Sequence, residues 1–221
     1  MRLYLVRHGE TYLNKYNRMQ GWADTPLTKK GKELARSCGE LLKAYEIHHM
    51  ITSDLGRTIE TAKEIGEVLG LKNPAISMPE FRESFFGYYE GADAKEAWDE
   101  AAKKSGFQSV NDLYQNGSMA EVMNIFHQAD DTGDAESYLD FRSRLKEGLT
   151  KIQENYDSQE QIVLVTHGNT IRNIAYMIDP TINCAEVLVN AGITIIEIDE
   201  GSWKIINYNQ APQLDKRKDM L

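Results

Sequence analysis

Cysteine is nearly absent: the chain has two, Cys38 and Cys184, far apart and in helix-like and mixed surroundings. Such a pair makes neither a disulfide framework nor a thiolate metal site, and both read as free thiols in a reducing compartment. Positive charge is in deficit as well. Twenty-five Lys and Arg stand against 34 Asp and Glu, a formal net charge of −9. A nucleic-acid backbone or an anionic membrane surface would be repelled by the molecule as a whole, so neither is expected as a partner. No apolar run approaches the roughly 20 residues of a membrane-spanning helix. No signal peptide precedes the first strand-like segment, so the cytoplasm is the expected location. Internal repeats are lacking, and no His, Cys, Asp or Glu residues fall at metal-ligand spacing. Neither metal nor cofactor is therefore expected.

What is there suits one domain over residues 1–221: the chain is long enough to bury a sizeable core without covalent support. Leu3 to Val6 is a short apolar run with too few polar breaks for a half-exposed strand, and it ends in Arg7-His8-Gly9. Gln161 to Thr166 repeats the pattern and ends in His167-Gly168, followed by a helix-like run from Ile171 to Ile178. Between them, Thr52-Ser53-Asp54 reads as a strand end running into a capped helix with Arg57 in its first turn. In an open α/β sheet ligands sit beyond the carboxyl ends of the strands, so both imidazoles and both guanidiniums would gather at one edge. Gly9 permits a sharp turn or a close approach there.

Arg7-His8-Gly9-Glu10-Thr11 with Asn14, Ser53-x-x-x-Arg57-Thr58-x-x-Thr61-Ala62, and His167-Gly168-Asn169 together resemble the histidine phosphatase superfamily, the phosphoglycerate-mutase-like fold. The resemblance runs from Arg2 to about Met177 and is specific because several motifs fall in the right order and context. It implies a three-layer α/β sandwich, with a mostly parallel central sheet flanked by helices, and a helical cap inserted at about 92–134. It also implies that His8 attacks phosphorus to give a phosphohistidine, inside a phosphate-binding frame of Arg7, Asn14, Arg57 and His167, with Gln20 and Gly21 from a second loop. Glu83 stands where the family has an acidic residue ahead of a Gly-aromatic-Glu-Gly pattern, and is the candidate proton donor to the leaving oxygen. Glu80 and Glu90 are its rivals by proximity.

Three functions compete on that frame: a metal-independent phosphatase of small phosphorylated metabolites, a cofactor-dependent phosphoglycerate mutase, and a weakly catalytic phospholigand-binding protein. Mutases of the family follow the acidic residue with Arg, where this chain has Ser84. They carry Lys at the position of Ala94, with Lys95 here one place late, and an adjacent Arg pair that 92–134 lacks. Before Gly-Trp they show Ser or Thr, where this chain has Gln20. Losing cations that hold a second anionic group favours transfer to water. The retention of Arg7, His8, Arg57, Glu83 and His167 argues against a degenerate binding protein.

Elsewhere, Thr28 reads as the N-cap of a helix to about Tyr45, with Leu34, Cys38, Leu41, Leu42 and Tyr45 inward. Ile59, Ala62, Ile65 and Leu69 share a face of the next helix, which Gly70 closes. His48-His49 is expected as a surface pair at a strand start. The 92–134 insertion reads as two or three short helices whose Met and aromatic residues are core. Asp130 to Asp134 lacks the alternation and closing Glu of a calcium loop and reads as a solvated acidic turn. Tyr138 to Tyr156 is an amphipathic helix. Gly192 to Ile198 and Trp203 to Tyr208 are strands joined at Glu200-Gly201, and the tail from Ala211 is expected to fray.

Overall fold

The computed structural model describes residues 1–183, 186–199 and 201–213. Cys184, Glu200 and most of the charged tail lie outside these, so the expectations placed on them are not addressed. A six-stranded sheet has the order β3-β2-β4-β1-β5-β6. Strands β1 (Arg2–Arg7), β2 (His49–Thr52), β3 (Ile76–Ser77) and β4 (Gln161–Thr166) run parallel, while β5 (Ile193–Asp199) pairs antiparallel with β1 and β6 (Ser202–Gln210) antiparallel with β5. Leu3 to Val6 are buried on both faces, as their unbroken apolar run predicts.

One face is covered by α2 (Lys29–Leu42) and α3 (Gly56–Leu69), whose Ala35, Cys38, Leu42, Ala62 and Ile65 pack on Tyr4, Val6, Val163 and Val165. The other is covered by α7 (Tyr138–Asn155) and α8 (Gly168–Ile178), through Phe141, Leu145, Ile152, Ile171 and Ile174 on Leu3, Leu5, Ile162 and Leu164. Alternate residues of one strand thus serve opposite layers, as the period of two requires. Thr28 caps α2 by accepting from the Gly31 N–H, and Gly70 ends α3 in the left-handed conformation at φ 70°.

Two local expectations fail at α3. Its N-cap is Leu55, which has no capping side chain. The Arg57 N–H is instead taken by Asp24 Oδ2 at 3.3 Å, so a distant loop supplies the cap. Ile59 is 47% exposed, because it stands on the flank of α3 beside the short edge strand and not under the sheet.

The insertion forms α4 (Ala94–Lys104), α5 (Val110–Asn116) and α6 (Met119–Ala129), which bury Ala97, Ala101, Leu113, Val122, Ile125 and Phe126 in a cluster of their own with Met19, Phe86 and Tyr89. Asp130 is not solvated. It is buried and accepts from the N–H groups of Thr132, Asp134 and Ala135. Burial opposes its ionisation, but hydrogen bonds from Thr132 and from the Thr132, Ala135 and Tyr88 N–H groups outweigh that and hold it down to about 2. The turn is a clamp under Tyr88 that joins the cap to α7. His48 and His49 lie at the amino edge of the sheet, both beside Glu160.

Candidate active site

The parallel register of β1 on β4 pairs Arg7 with Thr166, and His8 N–H continues the ladder to Thr166 O at 2.9 Å. One residue further, the two imidazoles are neighbours, with ring centroids 5.3 Å apart. Both are buried. Ser53 follows from the end of β2, its N–H on Val165 O. Three motif segments far apart in sequence therefore meet because three parallel strands end together.

His8 Nδ1 lies 2.8 Å from Gly9 O and donates to it, which leaves Nε2 as the ring nitrogen with a free lone pair. Burial lowers the His8 pKa well below its ordinary value, and the Arg57 and Arg7 charges push the same way, so the ring is neutral near neutrality. Gly9 does not adopt a positive φ. Its glycine is required by packing, since a Cβ there would stand 2.5 Å from the Gly31 carbonyl oxygen of α2. Its N–H donates to Thr61 Oγ1, which in turn donates to Arg57 O.

His167 is held in the other tautomer. Arg57 Nη2 donates to Nδ1 at 2.9 Å, so Nε2 carries the proton and donates to Ser53 Oγ at 2.8 Å. Ser53 hands on to Thr58 Oγ1, which reaches Leu55 O. Arg57 is wholly buried. It donates further to Gly21 O, Ala23 O and Asp24 Oδ1 at 2.6, 3.0 and 3.0 Å. Asp24 thus neutralises Arg57 from a loop that sequence reasoning assigned no charge partner. That loop is anchored by Glu90, whose carboxylate accepts the N–H groups of Gly21, Trp22, Ala23 and Phe86.

A cavity of about 240 Å³ opens in front of this group. Arg7, His8, Asn14, Gln20 and Glu83 line it. Arg57, His167 and Gly21 do not: the first two form the layer behind His8. In place of the expected phosphate contact, the Gly21 N–H is committed to Glu90. Asn14 spends its Oδ1 on the Thr11 N–H and Asn190 Nδ2, and Gln20 its Oε1 on Thr11 Oγ1 at 2.6 Å. Arg7 donates to Leu188 O. Burial lowers its pKa to about 10, still far above neutrality, so it stays charged.

Glu83 is the one carboxylate on the cavity wall among the described residues. Its Oε2 accepts the Asn169 N–H and its Oε1 the Ser84 N–H, both at 2.9 Å. Burial nevertheless pushes its carboxyl up from the ordinary value, against those bonds and the pull of Arg57 and Arg172. Its rivals are engaged elsewhere: Glu80 pairs with Lys151, and Glu90 holds its nest of N–H groups. Arg144 of α7 fixes the segment by donating to the carbonyls of Glu80, Arg82 and Glu83, with Thr170 Oγ1 also on Arg82 O.

Sequence reasoning missed Asp24, Arg144, Arg18 and Arg172. Arg172 alone carried a signal: it falls one helical turn after Gly168, on the face of α8 that also presents His167-Gly168. Arg18 and Arg172 line the cavity, with Met19, Phe86, Trp98 and Tyr114 completing the cap side. Phe86 and Tyr89 are buried and Tyr88 is 73% exposed, so the 85–89 aromatics divide between core, cavity wall and surface. No group of three or more metal-ligating side chains gathers among the described residues, and no helix there is long and apolar enough to cross a membrane.

A neutral buried imidazole at a parallel strand end, backed by guanidinium and faced by a buried acid, is a site for group transfer to or from an anion. The chain belongs to the histidine phosphatase superfamily (branch 1), whose family model matches residues 3–211. It is 31% identical over 208 residues to the uncharacterised phosphatase PhoE of Bacillus subtilis (strain 168), covering 93% of this chain and 92% of that one. A probable phosphoglycerate mutase, GpmB, of Enterobacter sp. (strain 638) matches more locally, 42% identical over 104 residues, 44% of this chain and 47% of that one. Among solved structures, a phosphoglycerate mutase from Bacillus anthracis str. Sterne superposes with a TM-score of 0.90 at 33% identity, covering 95% and 93% of the two chains. Bacillus stearothermophilus YhfR follows at 0.72 and 27%, covering 95% and 97%.

Proposed function

We propose that the protein is a metal-independent phosphomonoester hydrolase of small phosphorylated metabolites, working through a phosphohistidine on His8. The observation that carries this reading is the His8 tautomer. With Nδ1–H on Gly9 O, the ring presents Nε2 to the cavity as a nucleophile, and its depressed pKa keeps it unprotonated. Arg7 receives equatorial oxygens of the phosphoryl group, with the uncommitted amide donors of Asn14 and Gln20 beside it. Glu83, held toward the neutral acid by burial, protonates the leaving alkoxide and then accepts a proton from the attacking water. Arg57 and His167 act from behind His8, as a fixed positive charge and an oriented ring. Direct contact of Arg57 with phosphate requires it to exchange Gly21 O or Asp24 for a phosphate oxygen.

The name of the full-length relative, phosphatase PhoE, supports hydrolysis. The Bacillus anthracis structure described as a phosphoglycerate mutase keeps mutase activity as the second reading. The cap here lacks the adjacent Arg pair that mutases of the family carry, and Ser84 replaces their Arg.

A panel of phosphomonoesters, with 3-phosphoglycerate assayed in the presence and absence of 2,3-bisphosphoglycerate, separates the two. Phosphate release without 2-phosphoglycerate is expected; interconversion faster than release would establish the mutase instead. Turnover is expected to survive a chelator, and its loss with restoration by a divalent ion would refute metal independence.

A further inference from the structure

Residues 82–86 lie between two short 3₁₀ turns, Pro79–Phe81 and Gly87–Tyr89, and belong to no helix or strand, yet Glu83 and Ser84 are buried there. A buried main chain without a ladder has to find other partners for its carbonyls. Arg144 of α7 reaches three of them along this stretch. Its Nη1 donates to Glu80 O and Arg82 O at 2.8 and 2.7 Å, and its Nη2 to Glu83 O at 2.8 Å. The other donors go to Glu136, Nε to Oε1 at 2.6 Å and Nη2 to Oε2 at 2.8 Å. All five N–H groups of the guanidinium are thus spent, which takes a planar fork that lysine does not have. The guanidinium also lies over the Phe141 ring, 4.6 Å from its centroid.

Glu136 serves that grip in two ways. It cancels the Arg144 charge, so the grip adds no net positive charge behind a carboxyl that must carry a proton. It also locks the adjoining main chain, its N–H donating to Phe85 O at 2.9 Å and its Oε2 accepting the Phe85 N–H at 3.3 Å. With side chains 17% and 12% exposed, the pair is not a solvated surface bridge. Glu83 O takes a second bond from Trp22 Nε1 at 3.0 Å, out of the loop that follows α1 (Tyr12–Lys15). The main chain of Glu83 is therefore held independently of the bonds its carboxylate makes to Asn169 and Ser84. We propose that Arg144, with Glu136 as its counter-ion, is the positioning residue for Glu83. It fixes the main chain of 80–83 so that the Glu83 carboxyl stays in the cavity wall against α8, in place to deliver its proton to the leaving oxygen.

This inference rests on the reading of Glu83 as the acid in phosphoryl transfer to His8, and its test separates the two. Single-turnover phosphorylation of the full chain is measured with propyl phosphate and with p-nitrophenyl phosphate. Arg144→Met should slow transfer from propyl phosphate by about 10²-fold, the scale of a small misplacement of a catalytic group, and from p-nitrophenyl phosphate far less. Arg144→Lys, which keeps the charge but not the fork, should fall between Arg144→Met and wild type. In a Glu83→Gln background Arg144→Met should widen the gap between the two substrates little further, since the group it positions is gone. A second readout needs no turnover. The carbon-13 carboxyl signal that Glu83→Gln removes should titrate at lower pH in Arg144→Met, as water reaches the carboxyl, and in Glu136→Gln, as the Arg144 charge is uncovered. Arg7 at the end of β1, Arg57 of α3, Arg172 of α8 and the two imidazoles also face that carboxyl, and these substitutions leave them in place. A merely structural Arg144 would lower the denaturant midpoint, slow both substrates alike and leave the titration unmoved, and that result would overturn the inference. If Arg144→Met does not fold, Arg144→Lys and Glu136→Gln decide by the same two readouts, and wild-type behaviour in both overturns it. A leaving-group pattern present in Glu83→Gln but absent from every Arg144 variant sinks this inference alone. Its absence from Glu83→Gln sinks the acid assignment, and the inference with it. A chain that transfers nothing to His8 sinks the hydrolase reading, and the titration then decides by itself whether Arg144 holds Glu83.

Discussion

The strand-end floor of the cavity and its helical cap are built on different principles. In the floor every functional side chain is fixed by a partner remote in sequence: His8 through Gly9 on Thr61, His167 between Arg57 and Ser53, Arg57 on Asp24. These groups are buried in the edge of the sheet, where burial depresses both histidines and raises Glu83. The cap is instead a local helical cluster with its own apolar core, and it offers the cavity side chains such as Trp98 and Tyr114. On the proposed function, chemistry falls where geometry is over-determined, and selectivity where short helices can vary without disturbing the sheet.

That contrast predicts a graded series of effects. The largest belongs to the nucleophile: His8→Ala should lower turnover by up to about 10⁶-fold, the scale seen on losing a covalent nucleophile. Substrate labelled at phosphorus should leave an acid-labile adduct on the wild type alone, and an adduct persisting in His8→Ala would place the phosphoryl group elsewhere.

Glu83→Gln comes next. A general acid matters most when the leaving alkoxide is poor, so phosphorylation of His8 by an alkyl phosphate should slow by about 10²–10⁴-fold, with far less slowing for p-nitrophenyl phosphate. Single-turnover rates check this, and equal slowing of both substrates would remove the assignment. The same pair of groups sets the pH profile. His8 must be neutral, so the rate falls as pH drops through its lowered pKa; Glu83 must be protonated, so the rate falls as pH rises through its raised one. The alkaline limb of kcat/KM should therefore disappear in Glu83→Gln while the acid limb stays.

Asp24→Ala leaves the wholly buried Arg57 without its counter-charge and removes the remote cap of α3. Unfolding free energy should drop by about 3 kcal/mol, read from denaturant midpoints. An unchanged midpoint would mean that Arg57 finds another anion or opens to water. The smallest effect is expected in the cap, where Trp98→Phe should raise KM by an amount worth about 1 kcal/mol, roughly fivefold, with the saturating single-turnover rate retained. A fall in that rate instead would join the cap to the chemistry and dissolve the distinction drawn above.

Much of the floor was legible in the chain because it is written in strand ends. Apolar runs stopping at Arg7-His8-Gly9 and His167-Gly168 state both the element and the place where it terminates, and a parallel sheet then has one edge on which to collect them. The helices of the insertion were legible for a similar reason, since their Met and aromatic spacing is helical and buries them on one another. Partnerships were not legible. Nothing near Arg57 in sequence marks Asp24 as its counter-ion and cap, and Glu90, directly after the Tyr88-Tyr89 pair, looks as suited to acid catalysis as Glu83 does. Burial separates them: one lines the cavity between two N–H donors, while the other closes a loop with four.

Residue type and order by themselves determined the layers and the strand ends at which both imidazoles stand, because apolar periodicity and chain reversal are local properties. Tertiary structure decided the charge state of the buried groups and which side chains line the cavity. Arg57 withdrew behind His8, Gly21 turned its N–H to Glu90, and Arg18 and Arg172 came forward. A side chain's ionisation and exposure depend on what is packed within a few ångströms of it, and those neighbours come from segments that the sheet alone brings together.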